Sequence, residues 1–152
     1  METAPEYRVQ RCFMPFGKPT MLFVDDRTKR LEYALSVLSE EYAVRIAVCV
    51  PEALRSLSSE DFDFVSLDHD LNGYDFQDPD TPTCGMEIVR YIEKTGWPQQ
   101  RRHPVFYCHS SNLFASHLIE TRLQAMGFRA YHQVIDYKTQ YLRYDEKGNP
   151  IS

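Results

Sequence analysis

Phe64-Val65-Ser66-Leu67-Asp68-His69-Asp70-Leu71 is the stretch on which the reading of this chain turns. A run of apolar and β-prone residues stops abruptly at Asp-His-Asp. Short apolar runs read as buried strands. In an open α/β sheet, ligands bind beyond the carboxyl ends of the strands. Two carboxylates flanking an imidazole therefore stand where chemistry is usually done. Aspartate at a strand end also starts turns and caps helices, because it bonds nearby backbone N–H groups. Two further polar strand ends in the same chain weigh against that simpler reading.

Working outward, Met21-Leu22-Phe23-Val24 is an apolar run ending in Asp25-Asp26, and Pro104-Val105-Phe106-Tyr107-Cys108 ends in His109-Ser110-Ser111-Asn112. Between and beyond them lie two more β-prone runs, Tyr42 to Val50 and Phe128 to Val134. The connecting segments carry helical periodicity. Leu31, Ala34, Leu35, Val37 and Leu38 predict one face of a helix over 27–41. Ala53, Leu54 and Leu57 follow Pro51, which suits a first helical turn. Met86, Ile88, Val89 and Ile92 mark a helix over 85–94. Leu118, Ile119, Leu123 and Met126 mark another over 113–126, closed by Gly127. The loop from Leu71 to Thr83 is irregular by composition, with Asn72-Gly73, Pro79 and Pro82.

This β-α-β-α-β-α-β-α-β alternation predicts an α/β fold in three layers: a five-stranded parallel sheet with helices on both faces. The expected strand order is the flavodoxin-like 2-1-3-4-5, which sets Asp25-Asp26 beside Asp68-His69-Asp70. The expected organisation is an N-terminal extension over 1–19, a domain over 20–134 and a C-terminal extension over 135–152, a tail or small hairpin packed on the body. Tyr7 to Phe13 could add an edge strand, and Tyr137, Tyr141 and Tyr144 read as packing groups.

Composition bounds the function. The 152 residues suit one domain, with 43% hydrophobic residues to build its core. A formal net charge of -5 argues against a general nucleic-acid surface, which would be basic. Cys12, Cys49, Cys84 and Cys108 form no Cys-x-x-Cys pair, so neither a zinc site nor a disulfide framework is expected. With no signal peptide and no membrane-length apolar run, the expectation is a soluble, cytoplasmic protein.

Asp25, Asp26 and Asp68 would crowd negative charge, and such groups take up a proton unless a cation neutralises them, with Asp70 expected either to orient His69 or to assist the metal. A hard divalent ion, Mg²⁺ or Mn²⁺, is the natural partner and leaves positions for water and phosphate. His109 and His69 are the candidate acid–base groups, since imidazole titrates near neutrality. Ser110, Ser111 and Asn112 are candidate phosphate ligands, although Asn112 equally suits a helix cap. His103, His117 and His132 read as incidental. Asp75, Asp78 and Asp80 read as solvated loop charges, and Arg101-Arg102 as ordinary surface.

These motifs resemble a known family. Val24-Asp25-Asp26 on strand one, Leu67-Asp68 on strand three and a hydroxyl after strand four are similar to response-regulator receiver domains. Leu67-Asp68-His69-Asp70-Leu71, Gly85 opening a helix and His109-Ser110-Ser111-Asn112 more closely resemble a divergent branch, the cyclic-phosphate-processing receiver domains. The resemblance covers roughly residues 20 to 132. It implies a metal-dependent phosphoesterase acting on a cyclic phosphate, either a 2′,3′-cyclic nucleotide or RNA end or a cyclic nucleotide. In that reading Asp25, Asp26, Asp68 and Asp70 hold the metal, while His109, His69 and Asp68 are catalytic. The alternative is a receiver or pseudo-receiver that signals or binds a partner without catalysis. An ordinary receiver has a lysine at the end of strand five, and Arg129-Ala130-Tyr131-His132-Gln133 has none.

Overall fold

The computed structural model describes residues 17–71, 73, 77–135, 141–144 and 150–151. Its parallel strands are β1 (Thr20–Val24), β2 (Ala43–Ala47), β3 (Phe64–Leu67), β4 (Val105–Cys108) and β5 (Ala130–Ile135). They run in the order 2-1-3-4-5, as the alternation predicts. Two antiparallel strands, β6 (Tyr141–Tyr144) and β7 (Pro150–Ile151), extend the sheet beyond β5. The helices are α1 (Thr28–Ser36), α2 (Val50–Ser59), α3 (Met86–Thr95) and α4 (Leu113–Ala125).

Residues alternate between the two faces of a strand, and the core divides accordingly. Leu22, Val24, Val65, Leu67, Phe106 and Cys108 face Ala53 and Leu57 of α2, Ile88 and Val89 of α3, and Ile119 and Leu123 of α4. Met21, Phe23, Phe64 and Tyr107 lie on the opposite face with Tyr33 and Ala34 of α1 and with Leu38. β3 and β4 are buried along their whole length, as central parallel strands should be.

Two expected elements are trimmed. The helix predicted over 27–41 ends at Ser36 and passes into a 3₁₀ turn, Leu38–Glu40. The tighter winding brings Leu38 inward and leaves Leu35 and Val37 exposed, although both were placed on the apolar face. The run Tyr42 to Val50 yields only a five-residue edge strand. Val50 opens α2 instead, and the Glu52 carboxylate accepts from the Val48 N–H at 2.9 Å, fixing that helix start. Tyr7 to Phe13, Asp75 and Tyr137 lie outside the described residues. No helix among the described residues is long and apolar enough to cross a membrane.

Candidate functional site

The strand register fixes which side chains meet. β1 pairs with β3 so that Val24 lies beside Leu67, and β3 pairs with β4 so that Leu67 lies beside Cys108. The next residues, Asp25, Asp68 and His109, therefore emerge side by side. The ladder continues one step past the strands: the Asp68 N–H donates to the Val24 carbonyl at 2.9 Å, and the His109 N–H to the Leu67 carbonyl at 3.0 Å.

On the α1 face, Asp25, Asp26 and Asp68 each turn a carboxylate oxygen toward one point, with those oxygens within 4.8 Å of one another. Asp25 and Asp68 are buried, and Asp26 is partly exposed. His109 Nε2 lies 2.7 Å from Asp25 Oδ2, and Ser66 Oγ lies 2.7 Å from His109 Nδ1. With Asp25 ionised, the imidazole donates from Nε2, so its Nδ1 accepts from the Ser66 hydroxyl. Phe23 stacks on the ring at 4.7 Å. Asp25 Oδ1 accepts from the Arg27 N–H at 2.8 Å. Arg30 stands between the buried carboxylates, its Nε 2.9 Å from Asp25 Oδ2 and its Nη2 3.5 Å from Asp68 Oδ2. Asp26 accepts from the Gly73 N–H of the long loop through Oδ2, while its Oδ1 is buried without a hydrogen-bond partner.

Crowding sets the protonation of this cluster. Burial and the neighbouring Asp25 push Asp68 up to about 8, with Asp70 and Asp26 adding to the rise and Arg30 opposing it. Burial would raise Asp25 as well, but His109, Arg30 and the Arg27 N–H outweigh it and hold Asp25 below the ordinary carboxylate value. Burial depresses His109 despite Asp25, keeping the ring neutral. The cluster is thus one firmly ionised carboxylate beside one that retains its proton at neutral pH.

Across the sheet, the second half of the motif does different work. Alternation sends His69 to the face opposite Asp68. His69 Nε2 donates to the Gln77 carbonyl at 2.9 Å, the Gln77 N–H donates to Asp70 Oδ1 at 2.8 Å, and the Leu71 N–H donates to Gln77 Oε1 at 2.9 Å. Asn112 Nδ2 reaches the same Gln77 carbonyl at 3.5 Å. One loop residue is therefore tied to both motifs. The Cys84 thiol interacts with the buried His69 ring. Burial would raise this thiol, but hydrogen bonding with His69 and Thr81 holds it at about 7. Burial works against a charged His69, yet Cys84, the Gln77 carbonyl and Asp70 together raise its pKa. Gly85 closes this region. A Cβ there would sit 2.2 Å from the Asp68 carbonyl oxygen, and the Gly85 N–H donates to the His69 carbonyl at 2.7 Å.

The structure thus gathers Asp25, Asp26 and Asp68 and does not bring Asp70 into that group. His109 and His69 are both fully buried. Both nitrogens of His109 are engaged, so its ring braces Asp25. Asn112 caps α4, its Oδ1 accepting from the Ala115 N–H at 3.2 Å. The buried Ser110 Oγ accepts from the Asn112 N–H at 3.1 Å, and Ser111 is exposed. Arg30, Ser66 and Gln77 were not singled out from the sequence. Ser66 had a signal: it is the polar residue inside an apolar strand, two positions before Asp68 and so on its face. Arg30 and Gln77 had none.

With this geometry in place, comparison with known proteins identifies the fold's relatives. A family model described as the cyclic-phosphate processing receiver domain matches residues 20–125, well over half of the chain. The chain belongs to this family. The matched span contains every residue of the acidic cluster and of the Gln77 anchor. No curated protein sequence matches. Among solved structures, the chain is similar to a CheY-like response regulator receiver domain from Methanospirillum hungatei JF-1, with a TM-score of 0.56 and 22% identity over 80% of this chain and 86% of that one. It is similar to the response regulator TrrA from Thermotoga maritima, solved with Mg²⁺-BeF, with a TM-score of 0.51 and 21% identity over 78% and 86% of the two chains. It is also similar to a response regulator from Burkholderia pseudomallei, solved with a phosphorylated aspartic acid, a calcium ion and citrate, with a TM-score of 0.53 and 19% identity. That match covers 76% of this chain but spans 59% of the Burkholderia chain. At these identities the likeness establishes the receiver fold.

Proposed function

We propose that this receiver-family domain binds a divalent cation, Mg²⁺ or Mn²⁺, through Asp25, Asp26 and Asp68 and opens a cyclic phosphate. It would act as a phosphoesterase on a 2′,3′-cyclic nucleotide or RNA end, or on a cyclic nucleotide. The carrying observation is the convergence of three carboxylates within 4.8 Å at the strand ends, in a chain whose family is described by cyclic-phosphate processing. The residues fit a hard cation. All three offer oxygen ligands, the proton that repulsion holds on Asp68 would be released, and the buried Asp26 Oδ1 has no donor.

A divalent ion at such a site offsets phosphate charge and lowers the pKa of a bound water. The chain's own groups supply the rest. His109 and Ser66 hold Asp25 in one orientation, with Arg27 on its other oxygen. Asp26 is the most exposed of the three carboxylates and is held by the Gly73 N–H of the long loop. The exposed Ser111 hydroxyl is available to a phosphate oxygen, while Ser110 and Asn112 shape the turn that presents it. Hydrolysis adds water to phosphorus and breaks one ester P–O bond, and the departing alkoxide takes a proton. Because His69 and His109 are enclosed, that proton would come from solvent.

The test is a panel of 2′,3′- and 3′,5′-cyclic nucleotides incubated with Mn²⁺ and followed by phosphorus NMR. Wild type is expected to open one class, and Asp68→Asn to lose that activity. Receivers offer the second reading, since the Burkholderia structure carries a phosphorylated aspartic acid. No ring opening, with Asp68 gaining a phosphoryl group by mass from a small phosphodonor, would replace the first reading with that one. The absence of lysine from 129–133 favours the first.

A further inference from the structure

Among the described residues, Arg30 is the one that pairs with both Asp25 and Asp68. It lies in the first turn of α1, and its side chain is 16% exposed. Its guanidinium spans the two buried carboxylates that the proposed cation would bridge. The manner of its seating matters. Arg30 Nε is 2.9 Å from Asp25 Oδ2 but is not aligned for a hydrogen bond, and the contact with Asp68 is long at 3.5 Å. The guanidinium is therefore held by charge more than by directional bonds, unlike the fork geometry in which arginine grips carboxylate tightly.

The other donor on Asp25 Oδ2 cannot give way so easily. His109 is locked by Ser66 behind it and by Phe23 against its face. Arg30 rides on a flexible stem that reaches the surface.

We propose that Arg30 is a tethered cation that occupies the divalent position between Asp25 and Asp68, so that the ion binds only as Arg30 swings out toward solvent. This inference rests on the metal-centre reading above. Arginine keeps its charge at any working pH, so its competition is built in. It lowers the affinity of the site for cations and holds the carboxylates together when no ion is bound.

Calorimetric titration of Mn²⁺ at pH 8 into wild type, Arg30→Gln and Arg30→Met tests this. Removal of the competitor is expected to tighten Mn²⁺ binding by about 10-fold, the size of effect that neighbouring groups exert on metal sites. Equal or weaker binding by both variants overturns the inference while the metal centre stands. No binding by any of the three chains overturns both. Should either variant lose its fold, the wild-type protein still decides the matter. Titration with Mg²⁺, followed through the Arg30 Nε–H resonance, is expected to move that signal toward the position of a solvated guanidinium. A signal that stays fixed while Mg²⁺ binds overturns the inference.

Discussion

On the α1 face of the sheet, Asp25, Asp26 and Asp68 meet a guanidinium and a neutral imidazole. On the other face, His69, Asp70 and Asn112 meet Gln77. Both groups draw different residues from the same two motifs, 67–71 and 109–112. In the second group His69 Nε2, Asp70 Oδ1 and Asn112 Oδ1 each have a partner near 3 Å, while the buried His69 Nδ1 has none. The first group differs in crowding like charge. Its Asp68 is left with one long contact to Arg30, and Asp26 Oδ1 has no partner. Buried polar groups are normally satisfied. The difference between the two is therefore one of charge: three carboxylates crowd together in the first, and one carboxylate is bonded to a backbone N–H in the second. The comparison divides a sequence motif that looks like one site into a centre and an anchor.

Gly85 is where the two regions can be broken together. Its Cβ position is already occupied by the backbone of Asp68 and His69, with the nearest atom at 2.2 Å. The obstruction is backbone, which cannot rotate away. Gly85→Ala is expected to cost about 3 kcal/mol or more in chemical denaturation, and to weaken Mn²⁺ binding because Asp68 moves with the displaced strand end. A variant of normal stability would show that the strand end yields, and the coupling between centre and anchor would then be loose.

The pH dependence of stability sharpens the electrostatic half of the comparison. Asp68 is held near 8 in the folded chain, far above its unfolded value. Its contribution to stability is thus complete at low pH and is lost as pH rises toward 8. His69, His109 and Cys84 also titrate differently on folding, so the useful quantity is the difference between wild type and Asp68→Asn. Without metal, wild type is expected to lose stability relative to Asp68→Asn by on the order of 1 kcal/mol per pH unit between pH 6 and 8, and to level off above that. Mn²⁺ should restore wild type at pH 8 by mass action and leave the variant unchanged. Parallel stability curves would mean that Asp68 is ionised throughout and that the cluster is better screened than its burial implies.

How much of this was legible in the sequence follows from periodicity. The parallel sheet, its strand order and the meeting of Asp25, Asp26 and Asp68 came from apolar runs ending in aspartate, because β1 and β3 are neighbours in any sheet of this order. Asp70, expected among the metal ligands, and His69, expected as an acid–base group, lie with Gln77 and not with the carboxylate cluster. Alternation along a strand puts Asp68 and His69 on opposite faces, and that constraint was available from the period of two. His109 stands beside Asp25, as the strand order implies, but its enclosure was not foreseeable. Burial depends on Phe23 and Ser66 arriving from two other strands. Arg30 and Gln77 were invisible for a related reason: each reaches its partners from a helix or loop whose side-chain direction no local pattern records.

The smallest expected effects separate the two regions most cleanly. Ser66→Ala removes the hydroxyl that donates to His109 Nδ1 at 2.7 Å, leaving a buried acceptor unpaired. That costs about 1–3 kcal/mol, and it frees the imidazole that orients Asp25. Gln77→Ala keeps the backbone bonds to His69 and Asp70 but deletes the Oε1 acceptor of the Leu71 N–H. Its cost is about 1 kcal/mol. The two variants are thus close in stability but touch opposite faces. If centre and anchor are distinct, Ser66→Ala weakens Mn²⁺ binding by about 10-fold, as loss of a group supporting a metal ligand does. Gln77→Ala then leaves Mn²⁺ affinity unchanged. Equal losses in both variants would mean that the loop fastened by Gln77 is itself part of the centre. Gly73 would be the connecting point, since its N–H already binds Asp26 from that loop.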